Sequence, residues 1–103
     1  MRYSLKLHPQ RVTEYLRNLA GVSRQFRNRL FSNLDFDLRL NGDSFRESPD
    51  RRVSAGSSFF WYRLVLRDDE GDGKLRRFSF LVNDAAAVYG VLEVEFVHFE
   101  GPM

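Results

Sequence analysis

No cysteine occurs among the 103 residues. That absence excludes disulfide staples, thiolate zinc sites and cysteine nucleophiles, and it fits a reducing, cytoplasmic setting. Histidine is nearly missing too: His8 and His98 are the whole complement. Two such distant residues make no ligand cluster, so no metal and no other cofactor is expected. No apolar run approaches the ~20 residues that span a bilayer. The opening Met1-Arg2-Tyr3-Ser4-Leu5 is not followed by the apolar stretch of a signal peptide. The expectation is a cytoplasmic chain without a membrane partner. A glycine-rich loop that follows a strand and opens a helix is absent, as is a Gly-x-Ser-x-Gly element, which removes support for nucleotide cradling of that kind and for serine hydrolysis.

What is present is apolar and aromatic: 43% of the chain is hydrophobic and ten residues are Phe. That suffices for an aromatic-rich core and argues against disorder. At this length a second core has no room, so residues 1–103 read as a single domain. Net charge is only +2, but the signs are segregated. Residues 1–30 carry Arg2, Lys6, Arg11, Arg17, Arg24, Arg27 and Arg29 against Glu14, whereas residues 78–103 carry Asp84, Glu93, Glu95 and Glu100 and no Lys or Arg. A second basic group comprises Arg51, Arg52, Arg63 and Arg67. Clustered charge of one sign fits a polyanion or an acidic partner, and it equally fits a solvated helix face.

Tyr3, Leu5 and Leu7 alternate with Ser4 and Lys6, the period of a half-buried strand over residues 2–7. Val12, Tyr15, Leu16 and Leu19 lie at i, i+3, i+4 and i+7, which predicts a helix over 10–20 that Gly21 stops. Ser23 suits the cap of a second helix with Phe26, Leu30, Phe31 and Leu34 on its buried stripe. Residues 34–40 carry both the strand and the helix period, and the helix is favoured. Asn41-Gly42-Asp43 is a turn signal, and residues 41–57 read as a long polar loop. Three further strands are expected over 58–67, 74–82 and 88–99, joined by short turns into an antiparallel meander. The fold class is therefore α+β, an N-terminal strand and helical hairpin packed on a C-terminal three-stranded antiparallel sheet.

Alternation sends Phe60, Tyr62, Leu64, Leu66, Phe78, Phe80, Val82, Leu92, Val94 and Phe96 toward the helices. Trp61, Arg63, Arg67, Arg77, Ser79, Glu93 and Glu95 fall on the other face. Guanidinium groups hold phosphates and aromatic rings stack bases, so Trp61, Arg63 and Arg77 suit RNA there; cross-strand Arg–Glu pairing is the structural alternative. Strict alternation puts His98 on the helix face, opposite Arg77, unless a bulge intervenes. The acidic turn from Asp68 to Gly73 imitates the opening of a calcium loop, but its twelfth position is Ser79 and not Glu, which favours a plain hairpin tip.

The element order, with Phe60-Trp61-Tyr62-Arg63-Leu64, then Arg76-Arg77-Phe78-Ser79-Phe80-Leu81-Val82-Asn83-Asp84, then the strand from Val91 to Phe99, resembles the RelE/ParE superfamily of bacterial toxins over roughly residues 2–99. The resemblance implies a toxin of a type II toxin-antitoxin system, in its ribonuclease branch a metal-independent, ribosome-dependent mRNA endoribonuclease. It puts Arg77 at the phosphate-stabilising position and His98 at the acid–base position, with Phe99 where YoeB-like members carry tyrosine. Arg63 is the implied mRNA contact, and Trp61 from the same sheet face and Arg51 and Arg52 from the second basic group are the further candidates for RNA and phosphate binding. The implied partners are an acidic or amphipathic antitoxin-like peptide and ribosome-bound mRNA. A non-catalytic protein-binding module of the same fold, a ParE-like gyrase inhibitor and a plain RNA-binding module are the alternatives.

Overall fold

The alternation at the N-terminus forms strand β1, Ser4–Leu7. A computed structural model describes residues 2–102 of the chain. Pro9 ends the strand and opens π-helical turns, Pro9–Glu14, that run into helix α1, Tyr15–Arg17. The imidazole of His8 accepts from the Arg11 N–H at their start, occupying one donor that a helix entrance leaves unpaired. Of the stripe that the spacing predicts, Val12, Leu16 and Leu19 are buried, but Tyr15 is exposed.

Helix α2, Arg24–Arg46, begins where Ser23 adopts extended φ/ψ and its hydroxyl accepts from the Phe26 N–H at 3.1 Å. Its inward stripe is Phe26, Leu30, Leu34 and Leu38, each fully buried, while Phe31 is half-buried. The helix reading of residues 34–40 holds. The turn expected at Asn41-Gly42-Asp43 does not, because α2 continues through it with a local kink at Asn41 (φ −119°, ψ 19°). Tertiary contact overrides the local signal: Gly42 is buried, and a Cβ there would stand 2.9 Å from the Tyr3 ring and 3.0 Å from Leu92. Asp43 meanwhile accepts from the Tyr3 hydroxyl. The segment expected as loop over 41–57 thus begins only after Arg46 and includes a short 3-10 turn, Pro49–Arg51.

Strands β2 (Phe59–Arg67), β3 (Leu75–Asn83) and β4 (Val91–Pro102) form the antiparallel meander. The sheet, however, has four strands and not three. β1 joins it in parallel beside β4, Ser4 opposite Val91 and Leu7 opposite Val94, giving the order β1-β4-β3-β2. This pairing satisfies backbone groups that β4 would otherwise leave on an open edge: the Ser4 N–H donates to the Gly90 carbonyl at 2.8 Å, and His8 to Val94 at 2.9 Å.

The helices cover one face of the sheet, where Phe60, Tyr62, Phe78, Phe80, Val82, Leu92 and Val94 meet the α2 stripe. The core is aromatic-rich as composition predicts, with Phe78 stacked on Phe99 and Tyr62 edge-on to Phe45. Each well-buried ring or aliphatic side chain stabilises by about 1.5–3 kcal/mol relative to exposure. Among the described residues no helix is long and apolar enough to cross a membrane. The chain is α+β.

Two ionic clamps hold the connections. Asp68, fully buried at the β2–β3 turn, accepts from the Ser23 N–H at 2.9 Å and its hydroxyl at 2.6 Å, so the hairpin tip also anchors the start of α2. Arg76 donates to Asp72 at 2.7 Å and to the Gly21 carbonyl. Carboxylates of the calcium-like turn are therefore committed to a serine and an arginine of the chain itself. At the other end of the sheet Asp84 receives Arg46 at 3.0 Å and Arg52 at 2.6 Å, tying the end of α2 to the end of β3.

Candidate functional site

The face of the sheet away from the helices is uncovered, and its side chains form a grid set by strand register. Phe59, Asn83 and Glu93 make one row; Trp61, Leu81 and Phe96 the next; then Arg63, Ser79 and His98; then Val65 beside Arg77. The third row depends on an irregularity in β4. Val82 pairs with Val94, but Leu81 pairs with Phe96, so Glu95 is an extra residue with no opposite number. One inserted residue exchanges the two faces for everything that follows.

Two placements expected from alternation are corrected by that bulge. Phe96 is not in the core but 41% exposed on the open face, and Val97 takes the core position at 3%. His98 is exposed on the side of Arg63 and Arg77, where unbroken alternation would have buried it against the helices. A signal for this was legible: Phe96 and Val97 are adjacent apolar residues in an otherwise alternating strand.

Arg63 and Arg77 lie on adjacent strands and project from the same face, Arg63 paired with Ser79 and Arg77 with Val65. Arg63 is exposed and has no carboxylate within ion-pair distance among the described residues, whereas Arg77 donates to Glu100 at 3.3 Å. The Arg77 contact is the Arg–Glu pairing expected of a sheet ladder, made with Glu100. The expected ladder carboxylates are elsewhere: Glu95 meets Arg11 at 3.8 Å and Glu93 stands opposite Lys6. Both members of the Arg77–Glu100 pair are partly exposed, so it adds ~1 kcal/mol or less and leaves the guanidinium accessible to a competing anion. Trp61 is half-buried beside Arg63 on the same strand.

Arg51 and Arg52 do not join this face. Arg52 sits over the Phe60 ring and donates to Asp84, the Arg46 carbonyl and the Ser57 carbonyl. Arg51 stacks over Phe45 at 4.9 Å. Both side chains are turned toward α2 because the loop carrying them folds back on its end. The Asp84 carboxyl is raised by burial, but its hydrogen bonds from Arg52 and Arg46 prevail and hold it below the usual carboxylate range.

The sheet face can thus offer a guanidinium free of carboxylates, a second one loosely paired, an imidazole within the same grid, and a row of stacking surface from Trp61, Leu81 and Phe96. No protein-family model, curated protein or solved structure matches this chain.

Proposed function

We propose that this protein is a RelE/ParE-like toxin that engages RNA on the open face of its sheet and cleaves ribosome-bound mRNA without a metal. The observation that carries the reading is the extra residue at Glu95, which turns His98 onto the face of Arg63 and Arg77. Bases would stack on Trp61 and Phe96, and the phosphate would be drawn to Arg63 and Arg77. Cleavage transfers the proton of a ribose 2′-hydroxyl to the departing 5′-oxygen while the 2′-oxygen bonds to phosphorus. His98 is the imidazole on this face and would carry the proton from one oxygen to the other, and Arg77 would offset the charge that builds on the phosphate.

Induced expression tests it. The wild type is expected to arrest growth and to generate cleaved mRNA in a translating extract, and Arg77→Ala and His98→Ala are expected to relieve both at unchanged abundance. A harmless wild-type protein accumulating normally, or full toxicity of both variants, defeats the proposal.

A second reading has its own observation. Phe96 is 41% exposed and continues the apolar row of Trp61 and Leu81, and Val65, 45% exposed on the same face, lies beyond the row of Arg63. Such a patch suits the apolar side of an amphipathic, antitoxin-like peptide. Recovery of a small partner whose binding is lost in Trp61→Ala, without RNA cleavage by the free protein, would favour this non-catalytic reading.

A further inference from the structure

On the helix side of the molecule, away from the open sheet face, Arg17 of α1 and Arg24, Arg27, Asn28 and Phe31 of α2 line a concavity of about 380 Å³. The four α2 residues fall at i, i+3, i+4 and i+7, so one helix face presents them together. Several other surface arginines meet acids: Arg11 with Glu95, Arg29 with Asp69 and Glu70, Arg39 with Asp35. Among the described residues, Arg17, Arg24 and Arg27 have no carboxylate within ion-pair distance. Arg27 is anchored instead by donating to the Leu19 carbonyl at 2.8 Å, and its buried Nε has no acceptor. The result is a fixed cation flanked by two exposed ones.

We infer that this concavity binds a nucleotide unit, its phosphate on Arg17, Arg24 and Arg27 and its base against the half-buried ring of Phe31. Guanidinium forks match phosphate oxygens bidentately, so uncompensated arginines converging on one hollow favour a compact phosphate over dispersed carboxylates. Phe31 adds what inorganic phosphate alone would not use, a flat apolar surface beside the cations. Asn28 supplies amide donors and an acceptor at the same rim, suited to a base edge. The volume lies within the range of about 300–1,000 Å³ that small-molecule sites occupy. The site shares no residue with the sheet face, so it stands whether or not that face acts on RNA.

Calorimetric titration of the full chain with adenosine 5′-monophosphate at low salt tests the inference, with ribose 5-phosphate, inorganic phosphate and a short single-stranded oligoribonucleotide as parallel arms. The monophosphate is expected to bind. Arg24→Gln and Arg17→Gln, both exposed positions, are expected to weaken it by about tenfold each. Phe31→Leu is expected to erase the preference for the monophosphate over ribose 5-phosphate, and Arg39→Gln, farther along α2 and outside the concavity, to change nothing. The oligonucleotide arm separates the sources: binding by both probes identifies a free nucleotide as sufficient, and binding by the oligonucleotide alone, with the same arginine dependence, identifies the unit as part of an RNA chain. No binding by either, binding indifferent to Arg17 and Arg24, or an acidic peptide held at this site where neither nucleotide probe binds, overturns it.

Discussion

His98 stands directly across β3 from Arg63, with Ser79 between them in a single row of the sheet. The relationship exists only because β4 carries one residue more than its partner strand between Val94 and Phe96. Ser79, which has an exposed neighbour on either side, is itself only 7% exposed.

The bulge makes a stability prediction that separates function from folding. Val97→Ala removes a side chain that is 3% exposed and is expected to cost about 1–3 kcal/mol in denaturant unfolding. His98→Ala and Arg63→Ala act on exposed side chains and are expected to stay within about 0.5 kcal/mol of the wild type. Arg77→Ala loses only its partly exposed pair with Glu100 and should cost ~1 kcal/mol or less. A destabilising His98→Ala with a neutral Val97→Ala would mean that alternation runs unbroken.

Gly42 yields a prediction whose sign needs two opposing magnitudes. Replacing a helix-interior glycine by alanine ordinarily gains about 1 kcal/mol. Here the added Cβ would meet the Tyr3 ring at 2.9 Å, and that ring cannot swing aside because its hydroxyl donates to Asp43 and accepts from Arg46. Overpacking in a closed core costs about 1–3 kcal/mol. Gly42→Ala is therefore expected to lower the unfolding midpoint, whereas Asn41→Ala, exposed at the kink, is not.

The same residues show why the sequence is an incomplete guide to this fold. Local chemistry at Asn41-Gly42-Asp43 is that of a turn, and only the distant Tyr3 and Leu92, packed where Gly42 lacks a side chain, explain why the helix runs on. Strand β1 was legible from its alternation, but its partner was not, since parallel pairing with β4 is a contact between the two ends of the chain. At the candidate site the parity of β2 and β3 was enough to align Trp61, Arg63 and Arg77. Alternation alone misplaces His98, because one extra residue reverses the assignments that follow it, and only the adjacent apolar pair Phe96-Val97 marked the insertion. Arg52 looked like a phosphate ligand because sequence spacing cannot reveal Asp84, thirty-two residues on.

The Ser23–Asp68 contact predicts an energetic link between the helix pair and the β2–β3 turn. Asp68→Ala leaves the Ser23 N–H and hydroxyl without their acceptor in a buried setting, while Arg76 keeps Asp72 and the Gly21 carbonyl, and should cost about 1–3 kcal/mol. Ser23→Ala removes a helix cap and one hydrogen bond and should cost about 1–2 kcal/mol. Because both variants strike one contact, their double mutant should be less destabilised than the sum, which chemical denaturation of the four-member cycle measures.

Acid and alkali should each unfold the protein through identified groups. Burial raises the Asp68 carboxyl, but hydrogen bonds from the Ser23 hydroxyl and N–H and the charge of Arg76 bring it below its ordinary value; hydrogen bonds from Arg76 lower Asp72 to about 2. A depressed folded pKa gives stability that is complete above the unfolded value, ~3.9, and is lost as pH falls through the folded one. Stability should accordingly decline below about pH 4, and Asp68→Asn should flatten that decline. Burial, then the hydrogen bond to Asp37, raises the Tyr62 phenol. An unfolded chain therefore loses that proton first, and stability should fall above pH ~10, less so in Tyr62→Phe.

Arg63 and Arg52, both candidates for phosphate contact from sequence, should separate in opposite ways. Each phosphate contact on single-stranded RNA contributes about 0.7 to the slope of log affinity against log salt. Arg63 is exposed on the open face without a carboxylate, so Arg63→Ala is expected to reduce that slope by about this amount while leaving the unfolding curve in place. Arg52 has its guanidinium committed to Asp84, Ser57 and Arg46, so Arg52→Ala is expected to leave the slope unchanged and to destabilise the fold by about 2 kcal/mol or more. Titrations of an oligoribonucleotide at several salt concentrations, paired with urea unfolding of the same variants, measure both. A slope that follows Arg52 and ignores Arg63 would move the RNA contact off the sheet face and onto the loop before β2.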